Sequence, residues 1–275
     1  MRPQVVAHRG ASATVAEHTL GAYLEALDAG AEGLECDVRL TADGHLVCVH
    51  DRKIRRTTGL HGTVSSMELA DLAELDFASW KNPWNDLDDE APMRDEALDR
   101  VLTLRTLLET VRDYSARTGR RVELAIETKH PTRYGGLVER KLADILREFG
   151  WDRSGSPVRI MSFSFTALQR MERLTPELRL VQLIDHQRNW SLLQAAIGRD
   201  WLVGPGIATL TKHPKLAGKI TKAGHEIHVW TVNTEEALDL CLAAGVRAVI
   251  TDKPAQMFRW LDERGLLERE PTGSD

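Results

Sequence analysis

Short apolar runs alternate with stretches of helical periodicity along almost the whole chain. Val5-Val6-Ala7 is the first run, and residues 19–29 follow it with Leu20, Tyr23, Leu24 and Leu27 at helical spacing and Gly30 as a stop. The same alternation predicts strands at 33–40, 122–128, 158–163, 180–184, 201–203, 227–232 and 246–251. Between and after them it predicts helices at 103–117, 137–149, 166–174, 190–197, 215–223, 235–243 and 255–264. About eight strand–helix units over roughly 260 residues have the size and rhythm of an α/β fold of the TIM (β/α)₈ barrel class. A doubly wound sheet is the competing architecture, but no glycine-rich phosphate loop follows the first run.

One stretch breaks the rhythm. Between His50 and Leu104 no strand–helix unit is visible beyond a short helix at 66–75. Residues 77–96 are rich in Trp, Pro and Asp, including Trp80, Trp84 and Asp86-Leu87-Asp88-Asp89-Glu90. The expectation is a small insertion after the second strand, about 52–100, lying over the barrel mouth within one domain of residues 1–268. Residues 269–275 read as a frayed tail.

A hydrophobic content of 42% in 275 residues is ample for a core. The net charge of −5 argues against a nucleic-acid partner, because a phosphate backbone needs a basic face. No apolar stretch reaches membrane-spanning length, so no stable membrane insertion is expected. No basic region and cleavage site precede the first run, so no signal peptide is expected. Three cysteines scattered in apolar runs fit a reducing compartment, and the expected location is cytoplasmic. Oligomeric state is not legible.

The polar residues that punctuate the runs carry the chemistry. His8-Arg9-Gly10 ends the first run, Glu35-Cys36-Asp37 lies in the second, and Glu127-Thr128-Lys129 ends the third. In a barrel, active-site groups sit at the carboxyl ends of the strands. Residues two apart on a strand share a face, so Glu35 and Asp37 point inward together while Cys36 points away. Two crowded carboxylates repel unless a cation sits between them, and Glu127 could supply a third oxygen. An all-oxygen donor set suits Mg²⁺ or Ca²⁺, with Mn²⁺ as a third candidate. The alternative for Glu35, Asp37, Glu127, Lys129 and Arg9 is a buried ion-pair cluster without metal.

Asp43-Gly44 is a tight-turn signal, and a hairpin there returns His50 to the level of Glu35 or Asp37. His8 reaches the same mouth from the first strand. Two histidines flanking an anion suggest one acid and one base, with Arg9 as a phosphate fork. Trp230 ends its strand and can either pack against a ligand or plug the barrel, and Phe163 has the same two readings. Asn233 is expected to cap the helix that follows it, Asp252 to be structural, and Gly204-Pro205-Gly206 to be a turn.

Taken together, these segments resemble a known family. His8-Arg9-Gly10-Ala11-Ser12, Glu17-x-Thr19, Gly30-Ala31-x-Gly33-x-Glu35-x-Asp37, Asp43-Gly44, His50-Asp51, Glu127-x-Lys129, Ser162-Phe163, Trp230-Thr231-Val232-Asn233 and Thr251-Asp252-x-Pro254 look like the glycerophosphodiester phosphodiesterase family. The resemblance runs over roughly residues 4 to 260. It implies one divalent ion on Glu35, Asp37 and Glu127, His8 and His50 as the acid–base pair, and Arg9 and Lys129 on the phosphate. It implies conversion of a small glycerophosphodiester to glycerol 3-phosphate and an alcohol. Ala16-Glu17-His18-Thr19 stands where the family usually has Pro-Glu-Asn-Thr, so His18 adds a titrating group near the mouth, and Glu17 is carried over as a supporting residue. The runner-up reading is a lysophospholipase D or sphingomyelinase D-like phospholipase, with Leu60, Met67, Leu69, Phe77, Trp80 and Trp84 as an apolar approach for an acyl chain.

Overall fold

The computed structural model describes residues 2–81 and 96–267. Trp84, the acidic run 86–90 and the tail 269–275 lie outside the described residues. The strands are β1 (Gln4–His8), β2 (Gly33–Leu40), β3 (Leu46–Cys48), β4 (Glu123–Thr128), β5 (Val158–Ser162), β6 (Arg179–Ile184), β7 (Leu202–Pro205), β8 (His228–Val229) and β9 (Ala248–Thr251). Eight of them are parallel, in the order β7-β6-β5-β4-β2-β1-β9-β8, and β3 pairs antiparallel with β2. Parallel bridges Val203↔Ile227 and Gly206↔Trp230 bring β7 against the β8 segment and close the ring. Helices follow the strands on the outside, so this is a TIM barrel.

Helix starts follow from local chemistry. Thr19, Thr103, Ser164 and Thr234 each accept a hydrogen bond from a backbone N–H three residues on, at the heads of helices Leu20–Asp28, Leu104–Thr118, Phe165–Leu174 and Glu235–Ala243. A large outer core lies between strands and helices, and Cys36 and Cys48 belong to it. Inside the barrel, Val6, Ala125, Met161, Val181, Leu202 and Ile250 form a separate apolar layer. Each is two residues from a polar neighbour on its own strand or just beyond its end, so the interior has a polar top, an apolar middle and, at β1, β4, β5 and β6, a polar bottom. Among the described residues no helix is long and apolar enough to cross a membrane.

Three local readings are corrected. Gly204 and Pro205 belong to β7, and Gly206 caps a helix at Ile207–Lys212, because Pro205 contributes its carbonyl to the Trp230 N–H and needs no donor of its own. The strand expected at 227–232 shortens to His228–Val229, since Trp230 turns into the mouth. Thr234, not Asn233, caps the next helix. The insertion carries short helical turns at Arg55–Thr58, Val64–Ser66 and Leu69–Ala73, around its own cluster of Val47, Ile54, Val64, Leu72 and Phe77.

Candidate active site

The loop after β1 is built to aim side chains inward. Arg9 and His18 both take positive φ, 58° and 62°, which costs a side-chain-bearing residue on the order of 1–2 kcal/mol. Both are held there by backbone bonds, Arg9 N–H to Glu35 O at 3.1 Å and His18 N–H to Arg9 O at 3.0 Å. Gly10, at φ 86°, lets the chain pass so close to the following helix that an added Cβ would lie 2.5 Å from the Ala22 carbonyl carbon.

Glu35, Asp37 and Glu127 present carboxylate oxygens within 4.8 Å of one another. Register explains it: Asp37 pairs with Glu127 across β2 and β4, and Glu35 lies two residues below Asp37 on the same face. Lys129 Nζ lies 2.8 Å from Glu127 Oε1 and 3.2 Å from Asp37 Oδ1, and Arg9 Nε lies 3.0 Å from Asp37 Oδ2. Burial pushes the Glu35 carboxyl well above its ordinary range, with the Asp37 charge adding to it. Burial and Asp37 likewise push Glu127 up to about 8. Burial opposes ionisation of Asp37 too, but the His18 hydrogen bond and the Lys129 and Arg9 charges outweigh it and hold Asp37 well below the usual carboxylate range. Glu35 and Glu127 therefore resist ionisation, which a cation would relieve, whereas Asp37 stays ionised. Asp37 Oδ1 is buried without a hydrogen bond despite the nearby ammonium. An all-oxygen trio that is short of positive charge fits a hard divalent ion.

The two histidines are mounted alike. His8 Nδ1 lies 2.6 Å from Asp252 Oδ1, leaving Nε2 facing inward, 3.9 Å from Glu35 Oε2. Asp252 is fixed by Ser12 Oγ at 2.9 Å and Asn233 Nδ2 at 2.6 Å, which lower its pKa, together with His8, to about 2 against the effect of burial. His50 Nδ1 lies 2.7 Å from Asp51 Oδ1, and its carbonyl accepts from Arg39 Nε at 2.9 Å. The hairpin ladder, Val38↔Cys48 with the Val49 N–H on Asp37 O, returns His50 between the levels of Glu35 and Asp37. Burial pulls His50 down to about 4.

His18 is buried rather than at the mouth. Its Nε2 is 2.9 Å from Asp37 Oδ2 and its Nδ1 2.8 Å from the Tyr23 hydroxyl, which donates to Glu35 O at 3.1 Å. Sequence reasoning placed His18 nearby but missed this chain. The Asp252–His8 link was missed as well, with 244 residues of separation and no local signal to find it. Glu17 joins Arg9 at 3.1 Å to Arg56 of the insertion at 2.6 Å, and Lys81 Nζ donates to Ser12 O at 2.7 Å. Arg56 also lies 5.2 Å over the Trp80 ring, so the described part of the insertion is strapped to the loop after β1.

Phe163 and Trp230 form an edge-to-face pair 5.4 Å apart on the apolar wall of a pocket of about 220 Å³. The Trp230 indole N–H donates to Gly204 O at 2.8 Å, which fixes the ring. The opposite wall presents His8, Arg9, His50, Glu127 and Lys129. Phe77 is buried inside the insertion, and Met67 and Leu69 pack against the same cluster. Three of the apolar residues expected to greet an acyl chain are thus committed elsewhere.

Comparison with known proteins identifies the family. Residues 8–256 match the Glycerophosphoryl diester phosphodiesterase family. A "Probable glycerophosphodiester phosphodiesterase 1" of Mycobacterium tuberculosis is 41% identical over 265 residues, 95% of this chain and 93% of that protein. The glycerophosphodiester phosphodiesterase of Bacillus subtilis is 33% identical, covering 90% of this chain and 83% of that protein. The crystal structure of a glycerophosphodiester phosphodiesterase from Agrobacterium tumefaciens superposes with a TM-score of 0.70 at 28% identity, over 92% of this chain and 97% of that one. An Oleispira antarctica phosphodiesterase, solved in complex with its product sn-glycerol-3-phosphate, shares the fold with a TM-score of 0.78 at 24% identity, over 95% and 97% of the two chains. With a family match over nearly its whole length and relatives above 30% identity along most of theirs, the chain belongs to the glycerophosphoryl diester phosphodiesterase family.

Proposed function

We propose that the protein is a metal-dependent phosphodiesterase that cleaves small glycerophosphodiesters into glycerol 3-phosphate and an alcohol. The observation that carries this reading is the convergence, in one pocket, of two carboxylate-anchored histidines, two cations and a carboxylate trio. A divalent ion held by Glu35, Asp37 and Glu127 would supply charge neutralisation and orientation of the phosphate. Arg9 and Lys129 lie against the same carboxylates and are assigned to the phosphate oxygens. Each histidine has its Nδ1 committed to an aspartate, so proton transfer falls to Nε2. His50, held neutral at ordinary pH by burial, is assigned as the base that takes the proton of the attacking glycerol hydroxyl, closing a cyclic phosphodiester that water then opens to glycerol 3-phosphate with the two histidines exchanging roles. His8, on the loop side, is assigned as the acid that delivers a proton to the departing alkoxide. Phe163 and Trp230 form the wall against which the glycerol carbons pack.

The test is release of glycerol 3-phosphate from glycerophosphocholine by metal-stripped protein, with Mg²⁺, Ca²⁺ or Mn²⁺ restored separately and His50→Ala as the blank. Release that requires an ion and vanishes in the blank supports the reading and ranks the ions. No release with any ion overturns it.

A further inference from the structure

The amino-terminal end of the barrel holds a second polar cavity of about 220 Å³, where Arg2, Arg159, Arg179 and Arg247 face Glu32 and Glu123. The apolar layer around Val6, Ala125 and Met161 separates it from the pocket at the other end. We propose that this cavity binds a small, doubly charged oxyanion of the phosphate class, gripped by Arg159 and flanked by Arg179 and His228.

Arg159 carries the argument. It is 2% exposed, and its Nη1 donates to Glu123 Oε2 at 2.5 Å. Its Nε and Nη2 are buried with no hydrogen-bond partner. A guanidinium offers five N–H donors, and leaving two of its nitrogens dry is expensive unless something accepts from them. A tetrahedral oxyanion would accept from Nε and Nη2 side by side, the fork geometry that arginine presents to phosphate. His228 adds a second orphan, since its ring is 1% exposed and its Nδ1 has no partner.

The electrostatics point the same way. Arg159 and Arg179 are direct register partners on β5 and β6, so two guanidiniums stand side by side on one face. Burial and the Arg179 charge pull Arg159 down to about 10, although Glu123 opposes this. The carboxylates present are already engaged: Arg2 binds Glu32 through both oxygens at 2.7 and 2.8 Å, Val5 N–H adds 2.9 Å, and Arg179 pairs with Glu226 from outside the cavity. What the cavity lacks is an acceptor for the free edge of Arg159, and a small oxyanion supplies one. Inorganic phosphate and a phosphomonoester such as glycerol 3-phosphate share that chemistry.

The test follows the arginine Nε–Hε signals in ¹⁵N–¹H spectra of the full-length protein, titrated with inorganic phosphate and, in parallel, with glycerol 3-phosphate. The Arg159 signal, assigned by its loss in Arg159→Lys, should shift saturably with a Kd on the order of 1 mM. The same shift should persist in His50→Ala, which separates this site from the pocket above it. Arg179→Gln, at a half-exposed position, should weaken binding tenfold or more with turnover unchanged. A tighter response to glycerol 3-phosphate than to phosphate would name the phosphomonoester as the ligand, and the reverse order free phosphate. An Arg159 signal that neither anion moves, or binding unchanged in Arg179→Gln, overturns the proposal. If Arg159→Lys does not fold, the Arg179→Gln comparison decides alone.

Discussion

At the level of single residues, two members of the carboxylate trio, Asp37 and Glu35, have different duties. Asp37 is ionised, faces Arg9 and Lys129 and hydrogen-bonds His18 at once, so Asp37→Ala leaves Arg9 with Glu17 alone, Lys129 with Glu127 alone and His18 Nε2 without its partner. That variant should lose about 3 kcal/mol or more of stability, read by denaturant unfolding in EDTA. Glu35 is held protonated in the absence of a cation, so Glu35→Gln mimics its resting form. Glu35→Gln should unfold within about 1 kcal/mol of the parent in EDTA and lose most of the stabilisation the parent gains from added Mg²⁺ or Ca²⁺. Equal stability of the two variants would contradict this division of labour. His8→Ala and His50→Ala should instead keep metal-dependent stabilisation and lose turnover on the order of 10²-fold or more. Retained turnover in either would remove that histidine from the acid–base pair.

At the level of elements, the period of a strand and the turn at Asp43-Gly44 are enough by themselves to bring Glu35, Asp37 and His50 to one depth. Their supports were not legible, because His8–Asp252, His18–Asp37 and Arg56–Glu17 join separate elements and leave no mark on local periodicity. The same limit applies to β8, whose apolar pattern continues past Val229 while the backbone turns Trp230 into the pocket. The loop after β1 is where element geometry and chemistry meet most tightly. Gly10→Ala would place a methyl 2.5–2.7 Å from three atoms of Ala22, on a backbone with φ 86°. It should lower stability by more than about 1 kcal/mol, because an L side chain is strained at this φ even before the contact is counted. Since Arg9 and His8 precede it directly, turnover should fall further than the folded fraction does. A melting temperature and specific activity both equal to the parent's would show that the loop tolerates the extra atom.

For the molecule as a whole, the barrel interior is a stack of three layers, and the two polar ends are kept apart by the apolar one. The lower layer has a consequence for acid stability. His228 is buried there, and burial together with Arg159, Arg179 and Arg247 holds its pKa well below 6.5. The folded protein therefore keeps His228 neutral at pH values where the unfolded chain would protonate it. The stabilisation from a neutral His228 is fully present above about pH 6.5 and declines as pH falls toward the lower folded value. In that window the unfolded state takes up one more proton at this residue, which corresponds to a slope of about 1.4 kcal/mol per pH unit. His228→Gln removes the titration without adding charge. Urea unfolding from pH 7.5 to 5 should show a shallower loss of stability in His228→Gln than in the parent, whatever the offset between them at pH 7.5. Parallel curves for the two proteins would mean that His228 is free to take up its proton in the fold, and that the arginines of the lower layer do not press on it.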